Sequence, residues 1–250
     1  MTNGNKKIYF VSDCHFGIPD RNKSLEREKK LILWLDSIKH DASEIFILGD
    51  LFDFWFEYKT VIPRGYVRLL GKLAELSDSG IKMHMFTGNH DMWMFGYFPE
   101  ELGIDIIRKP IETEINGLKL MIGHGDGLGP GDYGYKFIKK VFANKVCQWL
   151  FARLHPNFAI GLGLFFSHRS RLARGDSDFH FKGEDKERLL IYAKNILKEK
   201  HFDLFIFGHR HYPLDLAIES NSRYINIGDW IYNFTYGVLD GKEFTLKSFK

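Results

Sequence analysis

Residues 83–93 read MHMFTGNHDMW, and the turn inside that run decides how the rest of the chain is read. A strand-like apolar MHMF gives way at Gly88 to Asn89, His90 and Asp91, three consecutive side chains able to bind a metal or move a proton. Gly-Asn is ordinary turn chemistry, so one reading is a tight loop after a strand. The other is a site in which Asn89 binds a metal and His90 handles charge or a proton. The neighbouring segments decide between the two.

Strand and helix signals alternate on both sides. IYFVS (8–12) precedes SLEREKKLILWLDSI (24–38), whose apolar residues recur at helical spacing. IFIL (45–48), a helical stretch near 64–78 and MHMF follow. This order implies βαβ crossovers and a largely parallel inner sheet. From residue 104 the runs shorten to IDII, IETEI and LKLMIG, the last two joined by Asn116-Gly117, a strong hairpin signal. Residues 184–200 read as helix, LFIF (204–207) as strand, and further strands are expected near 214–219, 223–228, 232–239 and 242–249. The expected fold class is α/β, a two-sheet sandwich flanked by helices. At 250 residues the chain can bury a full core, and one domain spanning 1–250 is expected.

Five blocks end strand-like runs with metal-binding residues: SDCH (Asp13, His15), GDLFDFW (Asp50), GNHD (Asn89, His90), GHGD (His124) and GHRH (His209, His211). Each alone is weak, but open α/β sheets gather their sites at the carboxyl ends of strands, so these loops should converge. In extended backbone, residues i and i+2 share a side, which lets Asp13 and His15 reach one ion while Cys14 turns away. The same rule sets Arg210 opposite His209 and His211. The donor types favour two divalent ions with mixed nitrogen and oxygen ligands. Asp13, His15 and His211 are assigned to one ion, and Asn89, His124 and His209 to the other. Asp50 is the candidate bridge, and a bridging hydroxide the expected nucleophile.

The combined blocks resemble the calcineurin-like metallophosphoesterases over nearly the whole chain. That resemblance implies the two-sheet α/β sandwich and a divalent-metal site, with manganese the expected ion.

The segment 129–183 interrupts the strand order and reads as a helical lid insertion, not a second domain. Net charge is +3 overall, yet residues 133–175 carry eight Lys or Arg and no Asp or Glu. Nine aromatic residues interleave with those charges, within runs such as WLF and IGLGLFF. Three readings compete here: an ordinary helical cap, a nucleic-acid surface, or a greasy basic lid for an anionic amphiphile. Apolar runs favour the third over isolated stacking platforms, so no nucleic acid is expected. An aromatic share of 16% likewise points to an apolar surface or ligand pocket besides the core.

GDGLGPGDYGYKF (125–137), with the early GDLFDFW and the insertion in the same place, resembles the UDP-2,3-diacylglucosamine pyrophosphatases of lipid A synthesis. Those enzymes hydrolyse the diphosphate of UDP-2,3-diacylglucosamine to UMP and 2,3-diacylglucosamine 1-phosphate, and their lids hold acyl chains. The resemblance places Asp132, Tyr135, Arg169 and Arg171 at substrate-contacting positions. This chain departs from the well-known branch, which has Arg in place of His90, a Thr-Asp-Asp type loop in place of Pro130-Gly131-Asp132, and GHTHRP in place of GHRHYP. Another nucleotide or phosphodiester substrate is the alternative, and a binding module on an inactive scaffold a further one.

His90 is expected to stabilise transition-state charge or protonate the departing oxygen, with Asp91 orienting its ring. Two cysteines make no disulfide framework and fit a reducing compartment. The N-terminus lacks a secretory pattern and no run of 18 apolar residues exists. A cytoplasmic protein resting on the inner face of the inner membrane is therefore expected, with an anionic nucleotide-lipid as its substrate.

Overall fold

The computed structural model describes residues 6–174, 180–181 and 183–250. The first half runs β1 (Lys7–Val11), α1 (Arg21–Ile38), β2 (Ala42–Ile47), α2 (Val67–Asp78), β3 (Lys82–Phe86), α3 (Tyr97–Leu102) and β4 (Asp105–Ile107). A hairpin follows, β5 (Ile111–Ile115) and β6 (Leu118–Gly123), then helices α4 (Tyr133–Ala143), α5 (Lys145–Phe151), α6 (Pro156–Arg174) and α7 (Arg188–Leu197). The remaining strands are β7 (Leu204–Phe207), β8 (Leu214–Ala217), β9 (Arg223–Asn226), β10 (Thr235–Asp240) and β11 (Glu243–Ser248).

Among the described residues these strands form two sheets, ordered β11-β10-β1-β2-β3-β4 and β5-β6-β7-β9-β8. The crossover helices leave β1 to β4 mutually parallel, and β6, β7 and β9 are parallel in the second sheet. Alternation along each strand sorts the core. Ile8 and Phe10 point between the sheets, against Leu120, Ile122 and Ile206. Tyr9 and Val11 point outward into a layer closed by Trp34 and Leu35 of α1 and Leu73 of α2. On the far face, Phe205 and Tyr224 pack beneath Leu189, Leu190 and Ala193 of α7. The fold is the expected two-sheet sandwich with flanking helices.

Local chemistry sets the element ends. Asn116 (φ 53°) and Gly117 (φ 75°) are both left-handed, as a two-residue hairpin turn demands. α1 begins three residues before the periodicity suggests, because the Asp20 carboxylate caps the N–H groups of Asn22 and Lys23. α2 begins later than expected, held off by left-handed Gly65 and Tyr66.

Helices α4 to α6 stand between β6 and α7 and cover the edge where the parallel strands end. Phe151 and Ile160 pack on Phe54, Phe56 and Trp93, and the Trp93 indole N–H donates to the Phe142 carbonyl at 2.8 Å. A methyl group on Gly163 would collide with the Phe54 ring, so α6 lies close on the loop after β2. Gly163→Val is expected to destabilise the fold by about 1–3 kcal/mol through this overpacking. Thermal melting checks it, and an unchanged Tm would mean that α6 does not bear on Phe54. Residues 175–179 and 182, which the sequence reading counts within the insertion, lie outside the described residues. No helix among the described residues is long and apolar enough to cross a membrane.

Candidate metal centre

β1, β2, β3, β6 and β7 each lead into one of the five blocks, and cross-loop hydrogen bonds tie the blocks together. The Asp13 N–H donates to the Gly49 carbonyl at 3.1 Å and the His15 N–H to the Asp50 carbonyl at 2.9 Å. The His90 N–H donates to Asp50 Oδ1 and the His209 N–H to Asp13 Oδ2, both at 2.8 Å. Gly88 is required where it stands, since a Cβ there would overlap the Asp50 carboxylate.

The seven residues expected as ligands converge, though the backbone does so differently from the extended reading. Asp13 (φ 53°), His15 (φ 44°), Asp50 (φ 50°), His209 (φ 71°) and His211 (φ 48°) are all left-handed. Such conformations cost of order 1–3 kcal/mol each in non-glycine residues and collect at functional sites. Cys14 is buried in the apolar layer beside Phe16. Arg210, expected opposite the two histidines, instead lines the same cavity as His209 and pairs with buried Glu187 at 3.0 Å. The left-handed turns at 209 and 211 break the i, i+2 rule that placed it elsewhere.

Three groups of donors result among the described residues: two correspond to the expected ions, and the third, His15 with Asp53 and His90, shares His15 with the first. In the first, His15 Nε2 and His211 Nε2 stand 3.1 Å apart, and Asp13 Oδ1 lies 3.2 Å from His211 Nε2. In the second, Asp50 gathers with His124 and His209, and Asn89 Oδ1 lies 3.4 Å from His124 Nε2. Asp50 Oδ2 spans the gap, 3.5 Å from His15 Nε2 and 3.4 Å from His124 Nε2.

This set fits cations. Asp13 Oδ1 is buried with no hydrogen bond, facing imidazole nitrogens that a shared positive charge would satisfy. His124 Nδ1 lies 2.7 Å from the Leu48 carbonyl; a proton on that nitrogen leaves the Nε2 lone pair directed at Asp50 and Asn89. Burial lowers the His124 pKa, but the Asp50 carboxylate overrides it and lifts the ring to about 10. Burial raises Asp50, yet the imidazoles of His124 and His90 hold it well below the usual carboxylate range. His209 goes the other way, pushed down to about 3 by burial and by His124. The carboxylates thus demand positive charge, whether proton or metal, while His209 stays neutral and free to ligate.

Asp91 has a different task from the one expected. Its two oxygens accept from the N–H groups of Asp50, Leu51, Phe52 and Gly88, at 2.7 to 3.3 Å. It ties the GDLF loop to the GNHD loop. His90 Nδ1 lies 2.9 Å from Ser167 Oγ and 3.1 Å from the Asp53 carbonyl. Asp91→Ala would orphan those buried N–H groups, each costing about 1–3 kcal/mol. The expected outcome is a lower Tm with or without metal. A variant of wild-type stability with an altered pH profile would return Asp91 to catalysis.

Sequence reasoning missed Asp53 and Asp126. Asp53 is buried 3.5 Å from His15 Nδ1, accepts from Ser167 and pairs with Arg171. Its signal was the second acid of GDLFDFW. Asp126, the acid of GHGD, accepts from the Tyr135 hydroxyl and pairs with Lys139 at 2.7 Å.

A cavity of about 1280 Å³ opens from the centre to the lid. Asn89, His90, His209 and Asp53 line it together with apolar side chains such as Phe54, Trp93, Ile138, Val141 and Phe166 and with charged ones including Lys186, Arg188 and Arg210. Of the expected substrate contacts, Asp132, Tyr135 and Arg169 line it, with Asp132 bridged to Arg188 at 2.9 Å. Arg171 is not on the lining, although its partners Asp53 and Ser167 are.

Strand-end loops carrying this donor set on a two-sheet sandwich define a metallophosphoesterase. The calcineurin-like phosphoesterase family matches residues 6–213, and the chain belongs to that family. It is a hydrolase, of a family that implies divalent metal ions. A UDP-2,3-diacylglucosamine hydrolase from Porphyromonas gingivalis is 35% identical, with 97% of each chain covered. Hydrolases of the same name from Vibrio atlanticus and Ectopseudomonas mendocina are 24% and 27% identical; each match covers 97% of this chain, and 97% and 98% of theirs.

Proposed function

We propose that this hydrolase cleaves the diphosphate of UDP-2,3-diacylglucosamine, releasing UMP and 2,3-diacylglucosamine 1-phosphate. The observation that carries the reading is the cavity, whose wall joins the donor cluster to basic side chains such as Arg169 and Arg188 and to many apolar lid residues, which suits a phosphorylated head with two acyl chains. The names of the relatives support the same substrate.

Asp13, His15 and His211 would hold one divalent ion and Asn89, His124 and His209 a second, with Asp50 shared and manganese the expected metal. Ions held there polarise a phosphoryl oxygen and activate water. His90, fixed by Ser167 and Asp53, stands at the head of the cavity to stabilise charge or give a proton to the departing sugar phosphate. Asp132, Tyr135 and Arg169 meet the head group. The lid also exposes apolar side chains off the cavity, with Phe158 61% and Trp149 56% exposed among its lysines and arginines. That composition suits a peripheral protein on the anionic inner face of the membrane.

The test sets acylated against deacylated substrate. Val141→Asp puts a charge into the apolar wall and is expected to raise KM for the diacyl substrate by about tenfold or more. Cleavage of a simple phosphodiester should hardly change. Equal losses on both substrates, or none on either, would sink the acyl-chain reading and leave a general phosphodiesterase.

A further inference from the structure

We propose that Arg171 and Ser167 of α6, acting through Asp53, set the positions of the His15 and His90 rings, so that the seating of the lid tunes divalent-ion binding. The inference rests on His15 being a metal ligand, as proposed above.

Asp53 is 1% exposed, and a buried carboxylate persists only with partners. Its partners come from two sides. From the lid, Ser167 Oγ donates to Asp53 Oδ2 at 2.9 Å, and the Arg171 guanidinium pairs with Oδ1. From the centre, His15 Nδ1 lies 3.5 Å from the same Oδ1 and His90 Nδ1 lies 3.8 Å from it. The two lid residues are one helical turn apart and joined to each other, Arg171 donating to Ser167 Oγ at 2.9 Å. Ser167 also reaches His90 Nδ1 directly, and the His15 and His90 rings meet edge to face at 4.8 Å.

One carboxylate is therefore divided between a lid cation and two imidazoles of the centre. While Arg171 balances its charge, Asp53 holds the Nδ1 edge of His15 at arm's length, and Nε2 stays aimed at Asp13 and Asp50. Without Arg171 the unbalanced carboxylate turns on the two histidines. The His15 ring is then drawn towards Asp53 and away from the donor cluster. Losing the carboxylate that faces a ligating imidazole typically costs roughly 10–100-fold in metal affinity or activity; here that group is Asp53, and Arg171 acts on it, so the low end of that range is expected. Arg171 is thus a positioning residue.

The experiment is Mn²⁺ affinity by calorimetry, on wild type, Asp13→Ala, Arg171→Met, Arg171→Lys, Asp53→Asn and the Arg171→Met/Asp53→Asn double variant. Arg171→Met is expected to bind Mn²⁺ about 10-fold more weakly. Arg171→Lys should recover most of the loss, and the double variant should bind no worse than Asp53→Asn alone, since both changes act on one contact. Ser167→Ala, a smaller change, should shift affinity the same way and replaces Arg171→Met if circular dichroism shows that variant unfolded. Wild-type Mn²⁺ affinity in folded Arg171→Met or in Ser167→Ala overturns the proposal, as do losses that simply add. Unchanged affinity in Asp13→Ala is a different failure, for it removes the ligand reading itself.

Discussion

Asp50→Asn is expected to lower turnover by roughly 10²–10³-fold, the loss typical of removing one strong electrostatic contact from a reacting centre. The size follows from position. Asp50 Oδ2 is the oxygen within reach of donors from both groups, His15 at 3.5 Å and His124 at 3.4 Å. Its other oxygen accepts the His90 N–H at 2.8 Å and so fixes the GNHD loop. Asparagine fills the same space but removes the negative charge that lifts His124 and balances the imidazoles. Divalent-ion affinity should fall along with turnover. Steady-state kinetics with Mn²⁺ titration checks both, and full turnover at saturating Mn²⁺ would rule out Asp50 as the shared group.

His90→Ala should separate chemistry from metal binding. A positioned acid or charge-stabilising group contributes about 10²–10⁴-fold, so kcat should drop by at least about 10²-fold. Metal content should stay at the wild-type level, because His90 lies outside the two donor groups assigned to the ions. His90→Arg discriminates further, since a guanidinium stabilises charge but gives up no proton. Recovery in the arginine variant would assign His90 to charge stabilisation, and failure to recover would assign it to proton transfer. Full rate in His90→Ala would leave it no part in the reaction.

Much of this architecture is legible in the sequence because period and turn chemistry coincide. MHMF, IETEI, LKLMIG and LFIF fall inside the observed strands, and Asn116-Gly117 sets the hairpin register, with Ile115 opposite Leu118. The five blocks were readable because each follows such a run. What could not be read was backbone conformation within the blocks. Left-handed φ occurs at Asp13, His15, Asp50, His209 and His211; Asp and His are enriched in that region, yet most of them elsewhere are not left-handed, so the residue type alone does not mark it. The same blindness misplaced Arg210.

Long-range pairing was the other hidden feature. Asp53 and Arg171 are 118 positions apart, so nothing local shows that a lid arginine serves a buried acid and not the ligand. Asp91 beside His90 suggested a dyad, yet the carboxylate accepts from backbone N–H groups of the neighbouring loop and of Gly88. The apolar lining was foreshadowed by the aromatic runs of the insertion. Which of those side chains face the cavity depends on how α4, α5 and α6 fold back on the sandwich.

The most direct test of the central claim is product release from UDP-2,3-diacylglucosamine by the purified protein, with added Mn²⁺ and with chelator in excess. UMP and 2,3-diacylglucosamine 1-phosphate should appear with Mn²⁺ and cease with chelator. An intact substrate under both conditions, beside brisk metal-dependent cleavage of simple phosphodiesters, would contradict the lipid-sugar assignment while keeping the metal centre.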